Sequence, residues 1–165
     1  MTNNGKEFLR GFLENMSKIY SASNHVINIK QSTIWQHFLE KGEFFEGRQQ
    51  YLSIAKERMA KTKECYYNSQ LFALDNESEG IKYYEGYAYP EGLIPVEHGW
   101  CVKDGKVIDL TFDALDDMFK QNRKVTYFGI EIPNEVVRNS IITTKIARSL
   151  MWDDVFFAEA QLDII

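Results

Sequence analysis

The sequence predicts an α+β fold that forms one domain over residues 1–165. Three observations support this prediction: a helical spacing of apolar residues at the start, runs of aromatic and β-branched residues in the middle, and a helical spacing again at the end. We expect a helical part over residues 1–64, a helix and an antiparallel sheet over residues 65–133, and further helices over residues 134–165. A chain of 165 residues can bury a core without disulfides or a structural metal ion.

Composition narrows the classes of protein and of partner. With 44% hydrophobic and 26% charged residues, the chain is neither collagen-like nor wholly disordered. Its net charge of −5 gives no overall positive field for nucleic acid. The first residues lack the features of a secretory signal, and no apolar run is long enough to span a membrane. We therefore expect a cytoplasmic protein in which Cys65 and Cys101 are free thiols.

The N-terminal part shows helical periodicity interrupted by one glycine-containing segment. Apolar residues spaced three and four apart predict a helix from about Lys6 to Tyr20, and a shorter helix is expected from Ser32 to Glu40 with Ser32 as its N-cap. Two glycines predict a loop over residues 41–47, held to the core by its two phenylalanines. From Arg48 to about Lys63 the pattern predicts another helix.

The middle of the chain changes from helical to strand patterns. The apolar run that starts at Cys65 and ends before Asp75 predicts a buried helix. Residues Ile81–Tyr89 and Val96–Val102 are rich in aromatic and β-branched side chains, and a proline-containing loop separates them. These two segments are therefore predicted to be strands.

The remaining elements follow a predicted hairpin. Asp104 and Gly105 are the residue types that a two-residue type I′ turn requires, so a strand over Lys106–Phe112 should follow it. After a polar stretch over residues 113–123, Val125–Ile132 is predicted to be the last strand. Pro133 and Asn134 should then open a helix, and a C-terminal helix is expected over Trp152–Ile165. Apolar positions of the first of these helices include Val137, Ile141 and Ile146.

The hairpin places two polar side chains on one face of the sheet. With Asp104 and Gly105 as the turn, Trp100 should face Asp109 and His98 should face Thr111. His98 and Asp109 then become diagonal neighbours with backbones about 7 to 8 Å apart, which an imidazole and a carboxylate can bridge. Such a carboxylate would fix the imidazole tautomer and favour its charged form.

Cys65 is the candidate nucleophile for this pair. At the start of a helix, the macrodipole and free backbone N–H groups favour a thiolate and can also bind an oxyanion. Cys65, His98 and Asp109 would together form a catalytic triad. In the alternative interpretation Cys65 is a small buried apolar residue, His98 a hydrogen-bonded sheet histidine and Asp109 a strand-end carboxylate.

Five segments carry a resemblance to a known superfamily. A cysteine on a helix, a histidine that opens a strand and an aspartate on the next strand resemble the papain-like superfamily, which includes papain, NlpC/P60 peptidases and transglutaminases. More specifically, the chain resembles a group of small, uncharacterised microbial and phage proteins within that superfamily in Cys65–Asn68, Tyr84–Tyr87, Glu97–Trp100, Val107–Thr111 and Tyr127–Gly129.

The resemblance implies a papain-like fold and a role for each triad residue. Cys65 would be the nucleophile, His98 the general base and acid, and Asp109 the orienting carboxylate. Papain-like proteases place an oxyanion-binding glutamine six residues before the cysteine, whereas this chain has Met59 there. The candidates for that second oxyanion donor are Gln49, Gln50 and Asn68.

Four residues are candidates for substrate binding, each with a structural alternative. Asn68 lies one helical turn after Cys65 and could instead satisfy the backbone. Trp100 and Tyr84 could line a cleft or belong to the core, as could Phe44 and Phe45. Glu85, with Gly86, interrupts a tyrosine-rich strand and could mark a ligand approach or a bulge.

No metal or cofactor is expected. The hairpin turns Cys101 away from His98, so these residues make a poor zinc site, and His25 and His37 are interpreted as structural or surface residues. Neither a phosphate-binding loop nor a dinucleotide fingerprint is present in the sequence.

Two functional classes remain. The first is a cysteine-dependent hydrolase or acyl transferase acting on an amide or ester, with a peptide or protein substrate that carries neutral or basic groups near Glu85 and Glu97. Peptidase, amidase, deamidase and transglutaminase share this chemistry. The alternative is a catalytically degenerate papain-like binding module, such as a phage factor that engages a host protein. The oligomeric state is not predicted.

Overall fold

Six strands form one sheet in the computed structural model, which describes residues 4–22 and 35–152. The strand order is β1-β6-β3-β4-β5-β2, and neighbours are antiparallel except β2 and β5, which are parallel. The strands are β1 (Glu43–Glu46), β2 (Arg48–Gln49), β3 (Lys82–Pro90), β4 (Val96–Lys103), β5 (Lys106–Ile108) and β6 (Val125–Ile132).

Helices precede, interrupt and follow these strands, which confirms the α+β prediction. They are α1 (Asn4–Ser21), α2 (residues 35–41), α3 (Leu52–Glu57), α4 (Cys65–Asp75), α5 (Leu110–Phe119) and α6 (Asn134–Thr144), with a 3₁₀ turn over Glu77–Glu79. None of the described helices combines the length and apolarity needed to cross a bilayer. The predicted Ser32 cap, His25 and the predicted C-terminal helix beyond Trp152 lie outside the described residues.

The hairpin between β4 and β5 has the predicted turn. Asp104 and Gly105 have φ angles of 51° and 74°, as a type I′ turn requires at both central positions. The ladder pairs Lys103 with Lys106 and Val102 with Val107, which is the predicted register. Helices α1 and α4 and strands β3, β4 and β6 also lie where the sequence predicts them.

The prediction of a loop over residues 41–47 was wrong, because part of this segment joins the sheet. Strand β1 pairs with β6, and Phe44 lies opposite Phe128 with their ring centroids 4.6 Å apart. The ring of Phe45 meets the ring of Tyr84 at 5.2 Å. Both phenylalanines therefore pack on the sheet. The local sequence pattern could not reveal that β1 pairs with β6, because β6 lies far away in the chain.

The predicted helix from Arg48 to Lys63 is mostly absent. Arg48 lies in β2, and its guanidinium pairs with Asp113 and Asp116 in a largely buried cluster. Asp113 also accepts a hydrogen bond of 2.7 Å from the backbone N–H of Tyr51. These long-range bonds hold the segment extended and leave only Leu52–Glu57 helical.

The predicted strand over Lys106–Phe112 was also wrong in its second half. Strand β5 ends at Ile108, and α5 begins at Leu110 with Asp109 as its N-cap. The helix takes up most of the supposed polar stretch after Phe112. The predicted pairs of Trp100 with Asp109 and His98 with Thr111 are therefore not part of the ladder, which stops at Cys101 and Ile108.

Two hydrophobic clusters lie on the two faces of the sheet. Helices α1 and α4 cover one face, where Leu9, Phe72 and Cys101 are buried. The other cluster contains Trp100, Phe112 and other aromatic and aliphatic residues. Of the predicted apolar positions around α6, Val137 is buried, but Ile146 lies beyond the helix and is 62% exposed.

Candidate active site

Helix α4 lies along β4 in a fixed register. The hydroxyl of Ser69 donates to the carbonyl of Gly99 over 2.9 Å, and the thiol of Cys101 donates to the carbonyl of Ser69 over 3.1 Å. Cys65 lies one helical turn before Ser69. That turn rises about 6 Å along the helix, which is about the length of two residues in a strand. The register therefore brings Cys65 to the level of His98 at the start of β4.

Gly99 permits this close packing. A Cβ atom at Gly99 would lie 2.8 Å from the Tyr83 hydroxyl and 3.1 Å from Cδ1 of Tyr66. Both contacts are shorter than a side chain tolerates without displacing its neighbours. The glycine next to His98 is therefore a steric requirement for bringing the helix that carries Cys65 against the strand that carries His98.

Asp109 has every lone-pair position of its carboxylate occupied. Its Oδ1 accepts from the backbone N–H groups of Thr111 and Phe112, at 3.1 and 3.0 Å, and so caps α5. Its Oδ2 contacts Nε2 of His98 at 2.7 Å and accepts from the hydroxyl of Tyr127 at 3.0 Å. The side chain is fully buried, so these four bonds fix both its position and its charge.

His98 is held in a buried, mainly aromatic pocket. Its ring stacks on Trp100 at 6.4 Å between centroids and meets Phe112 at 5.0 Å. Because Nε2 contacts Asp109, Nδ1 is the ring nitrogen left for Cys65. Burial opposes a charge on His98, but the Asp109 carboxylate and the hydrogen bond and charge of Cys65 outweigh it and raise the pKa of His98 to about 10.

The charge state of the pair follows from both partners. Burial would raise the pKa of Asp109, but the His98 charge and the bonds from His98, Phe112 and Tyr127 outweigh burial and lower it. The two shifts agree, since each partner stabilises the charged form of the other. At neutral pH the pair is therefore an imidazolium and a carboxylate.

Cys65 is the first residue of α4 and is half-buried. The N-cap residue, Glu64, makes no capping bond with its side chain. The first backbone bond of the helix runs from the N–H of Asn68 to the carbonyl of Glu64, so the N–H groups of Cys65, Tyr66 and Tyr67 have no intrahelical partner. Free N–H groups beside a nucleophile can bind the oxyanion of an acyl-transfer intermediate.

All four predicted substrate-binding residues are buried within the protein. Trp100 is fully buried behind His98, and the hydroxyl of buried Tyr84 donates to Glu43 over 2.7 Å. The Asn68 amide bonds the backbone N–H and carbonyl of Lys61 and the hydroxyl of Thr111. These three side chains are buried and support the site from within the protein.

Glu85 does not lie in an open cleft, contrary to the sequence-based expectation. It is 1% exposed and accepts hydrogen bonds from the Tyr83 and Ser149 hydroxyls and from the backbone N–H groups of Leu150 and Met151. Burial raises its pKa, and these hydrogen bonds oppose that rise. Glu85 therefore anchors residues 149–151 to the sheet.

No side chain at the expected position supplies the second oxyanion donor. Met59 has a positive φ of 51° and is 81% exposed. Of the alternatives, the Gln50 amide donates to Asn122, and Gln49 lies in β2 opposite Ile108. Asn68 is committed to Lys61 and Thr111, so the backbone N–H groups at the start of α4 are the donors that the structure offers.

Sequence reasoning missed the contribution of Tyr127. Its hydroxyl donates to Asp109, and burial raises the pKa of Tyr127 so that the phenol keeps its proton. Cys101, by contrast, is buried away from the pair, and burial raises the pKa of its thiol. Among the described residues, no group of three or more His, Cys, Asp or Glu side chains is placed to hold a metal ion.

Comparison with protein-family models, with curated proteins and with solved structures found no significant match to this chain. The geometry around Cys65, His98 and Asp109 is therefore the basis for the functional proposal below.

Proposed function

We propose that this protein is a cysteine-dependent hydrolase or acyl transferase that acts on an amide or ester bond. The observation that carries the proposal is the buried ion pair of His98 and Asp109, in which the second ring nitrogen is left for Cys65 at a helix start. Covalent acyl-transfer catalysis needs a nucleophile, a base and an orienting carboxylate that are linked by hydrogen bonds.

The first half of the reaction forms a thioester. The His98 imidazolium stabilises the Cys65 thiolate, whose Sγ attacks the carbonyl carbon of the substrate. The resulting oxyanion accepts hydrogen bonds from the free N–H groups at the start of α4. When the tetrahedral intermediate collapses, the amine or alcohol leaves with the proton of His98, and the acyl group stays on Sγ.

The second half releases the acyl group. His98, now neutral, takes a proton from a water molecule or an acceptor amine that attacks the thioester carbonyl. The thiolate of Cys65 leaves, which restores the starting ion pair and gives a carboxylic acid or a new amide. Asp109 keeps its charge throughout and stabilises the imidazolium each time it forms.

Assignment to the papain-like superfamily is part of this proposal. It is supported by a cysteine at a helix start, a histidine on a strand packed against that helix, and an aspartate that follows the next strand. The exposed methionine at position 59 departs from that superfamily. A protein with fewer oxyanion donors would be slower, and this observation favours the second candidate, a catalytically degenerate binding module that engages a host protein.

Alkylation of the two thiols tests the catalytic proposal. We expect iodoacetamide to label Cys65 rapidly at neutral pH and to leave buried Cys101 unlabelled, as measured by peptide mass spectrometry. The Cys65→Ala and Cys101→Ala variants assign the signals, and the His98→Ala variant should label Cys65 much more slowly. Equal labelling rates of Cys65 in the wild type and in His98→Ala would contradict a nucleophile activated by His98.

A second experiment separates catalysis from binding. Cell lysates treated with wild type or with Cys65→Ala can be compared for cleaved, deamidated or cross-linked peptides. A product that depends on Cys65 supports the enzyme and identifies its reaction. Capture of one protein by both forms, without any Cys65-dependent product, would favour the binding module instead.

A further inference from the structure

A groove adjoins the candidate nucleophile. It has a volume of about 440 Å³ and runs between the first two turns of α4 and the chain that ends and follows α6. Glu64 and Tyr66, the direct chain neighbours of Cys65, both line it. Both residues that flank Cys65 in the chain therefore line the groove, which has the volume of a ligand pocket. Its other lining residues are Lys63, Tyr67, Leu71, Ile141, Lys145, Ile146 and Ala147.

The walls of the groove are mostly apolar and partly open to solvent. Tyr67 is 47% exposed and Ile146 is 62% exposed. Neighbouring exposed hydrophobic side chains are a common feature of ligand-binding grooves. Leu71 and Ile141 also line the groove and are half-buried. A peptide side chain with an aliphatic or aromatic group would cover these residues.

The charges of the groove favour an acidic ligand. Lys63 and Lys145 line it, and neither has a carboxylate partner within residues 4–22 and 35–152. The one acidic lining residue, Glu64, is paired with Lys61 at 3.1 Å. Within the described part of the chain, the groove therefore carries two lysine charges without a carboxylate partner, on a protein whose net charge is −5.

We infer that this groove binds a peptide segment with an apolar side chain next to an acidic residue, as part of the substrate whose carbonyl Cys65 attacks. This inference rests on the proposed function, because it takes Cys65 as the nucleophile. It revises the sequence-based expectation of neutral or basic groups, which relied partly on Glu85. Since Glu85 is buried and bonded, it exerts no contact repulsion on an acidic peptide.

Peptide alkylating reagents test the inference without a known substrate. N-iodoacetyl-Leu-Glu and N-iodoacetyl-Leu-Gln react with Cys65 by forming an S–C bond and releasing iodide, and saturation kinetics give an inactivation constant for each. We expect the Glu reagent to have a constant about tenfold lower in the wild type, because two ion pairs form. The double variant Lys63→Glu, Lys145→Glu should lose this preference, whereas exposed Lys124→Glu, which lies outside the groove, should keep it.

The apolar contact has its own matched control. Ile146→Ala should raise the constant of the Leu-Glu reagent about threefold relative to N-iodoacetyl-Gly-Glu. Ile142→Ala should not, since Ile142 is exposed to a similar extent, 58%, and does not line the groove. Saturation kinetics separate the inactivation constant from the maximal rate, and the iodoacetamide rate of the same variant reports any change in thiol activation.

The outcomes separate the two proposals. Rapid iodoacetamide labelling with no charge preference, or a preference that Lys63→Glu, Lys145→Glu leaves unchanged, overturns the groove inference and leaves the catalytic proposal standing. Slow iodoacetamide labelling of Cys65 at neutral pH overturns the catalytic proposal, and the groove inference fails with it. Rapid labelling with a preference lost only in the lysine variant supports both.

Discussion

Replacement of Asp109 by Asn tests the buried ion pair through protein stability. An asparagine can keep the cap of α5, because its side-chain oxygen can accept from the N–H groups of Thr111 and Phe112 as Oδ1 does. The amide carries no charge, so His98 loses the carboxylate that raises its pKa. Burial then dominates and favours the neutral imidazole.

The size of the effect follows from the pKa of His98. A pKa raised from 6.5 to about 10 contributes stability that is fully present below pH 6.5 and is lost as the pH rises through 10. At about 1.4 kcal/mol per pH unit, the whole shift, to which Asp109 and Cys65 both contribute, corresponds to at most about 5 kcal/mol at low pH. The same arithmetic leaves about 4 kcal/mol at pH 7 and about 1 kcal/mol at pH 9.

Urea unfolding of both proteins at several pH values measures this difference. We expect the free energies of unfolding of wild type and Asp109→Asn to differ by about 3 kcal/mol more at pH 7 than at pH 9. The control is Asp104→Asn, an exposed site in the hairpin turn where asparagine tolerates the positive φ of 51°. A difference that stays constant from pH 7 to pH 9 would refute the ionised pair, even if Asp109→Asn is destabilised.

Three further substitutions probe the supports of the site. Gly99→Ala should cost about 1 to 3 kcal/mol and slow iodoacetamide labelling of Cys65, because the new methyl group pushes α4 away from β4; normal labelling would contradict the steric role of the glycine. Tyr127→Phe removes one of four hydrogen bonds to Asp109, so it should lower the free energy of unfolding by about 1 to 2 kcal/mol while Cys65 stays reactive. Loss of Cys65 reactivity would show that the Tyr127 hydroxyl is also needed to activate the thiol. Glu85→Gln should lower the free energy of unfolding by about 2 to 3 kcal/mol, because one amide oxygen cannot accept from all four donors. Protease cleavage near residue 149 at low urea would report release of residues 149–151. Unchanged resistance to the protease would show that Glu85 does not anchor this segment.

Elements with strong local patterns were predictable from the sequence. Strands β3, β4 and β6 are buried along most of their length, so aromatic and β-branched residues occupy nearly every position. Helix α4 is buried on several sides and is apolar throughout much of its length. In these segments the local preference and the tertiary environment favour the same structure.

Elements defined by distant partners were not predictable in this way. Strand β1 has only two aromatic residues and exists because β6 pairs with it. Strand β2 and the short α3 depend on Arg48, whose carboxylate partners lie in α5, more than 60 residues later. The charged and polar residues of this segment resemble those of an exposed helix, so only the folded chain reveals that Arg48 is buried.

The candidate triad residues lie together although the sequence pattern placed Asp109 on the wrong element. As the N-cap of α5, Asp109 has extended backbone angles of −131° and 90°, so its side chain still follows the alternation of β5. Thr111, two residues later, is already helical, and the strand-based argument fails there. The chain therefore changes from strand to helix at Asp109, which combines strand-like backbone angles with the position of a helix N-cap. Strand-like angles direct Oδ2 at His98, while the cap position gives Oδ1 two backbone donors that hold the carboxylate in its charged form. The bonds that begin α5 thus also fix the orientation of His98, the candidate base. Asp109→Asn can keep the cap of α5 but removes the charge, so it separates the capping role of Asp109 from its electrostatic role.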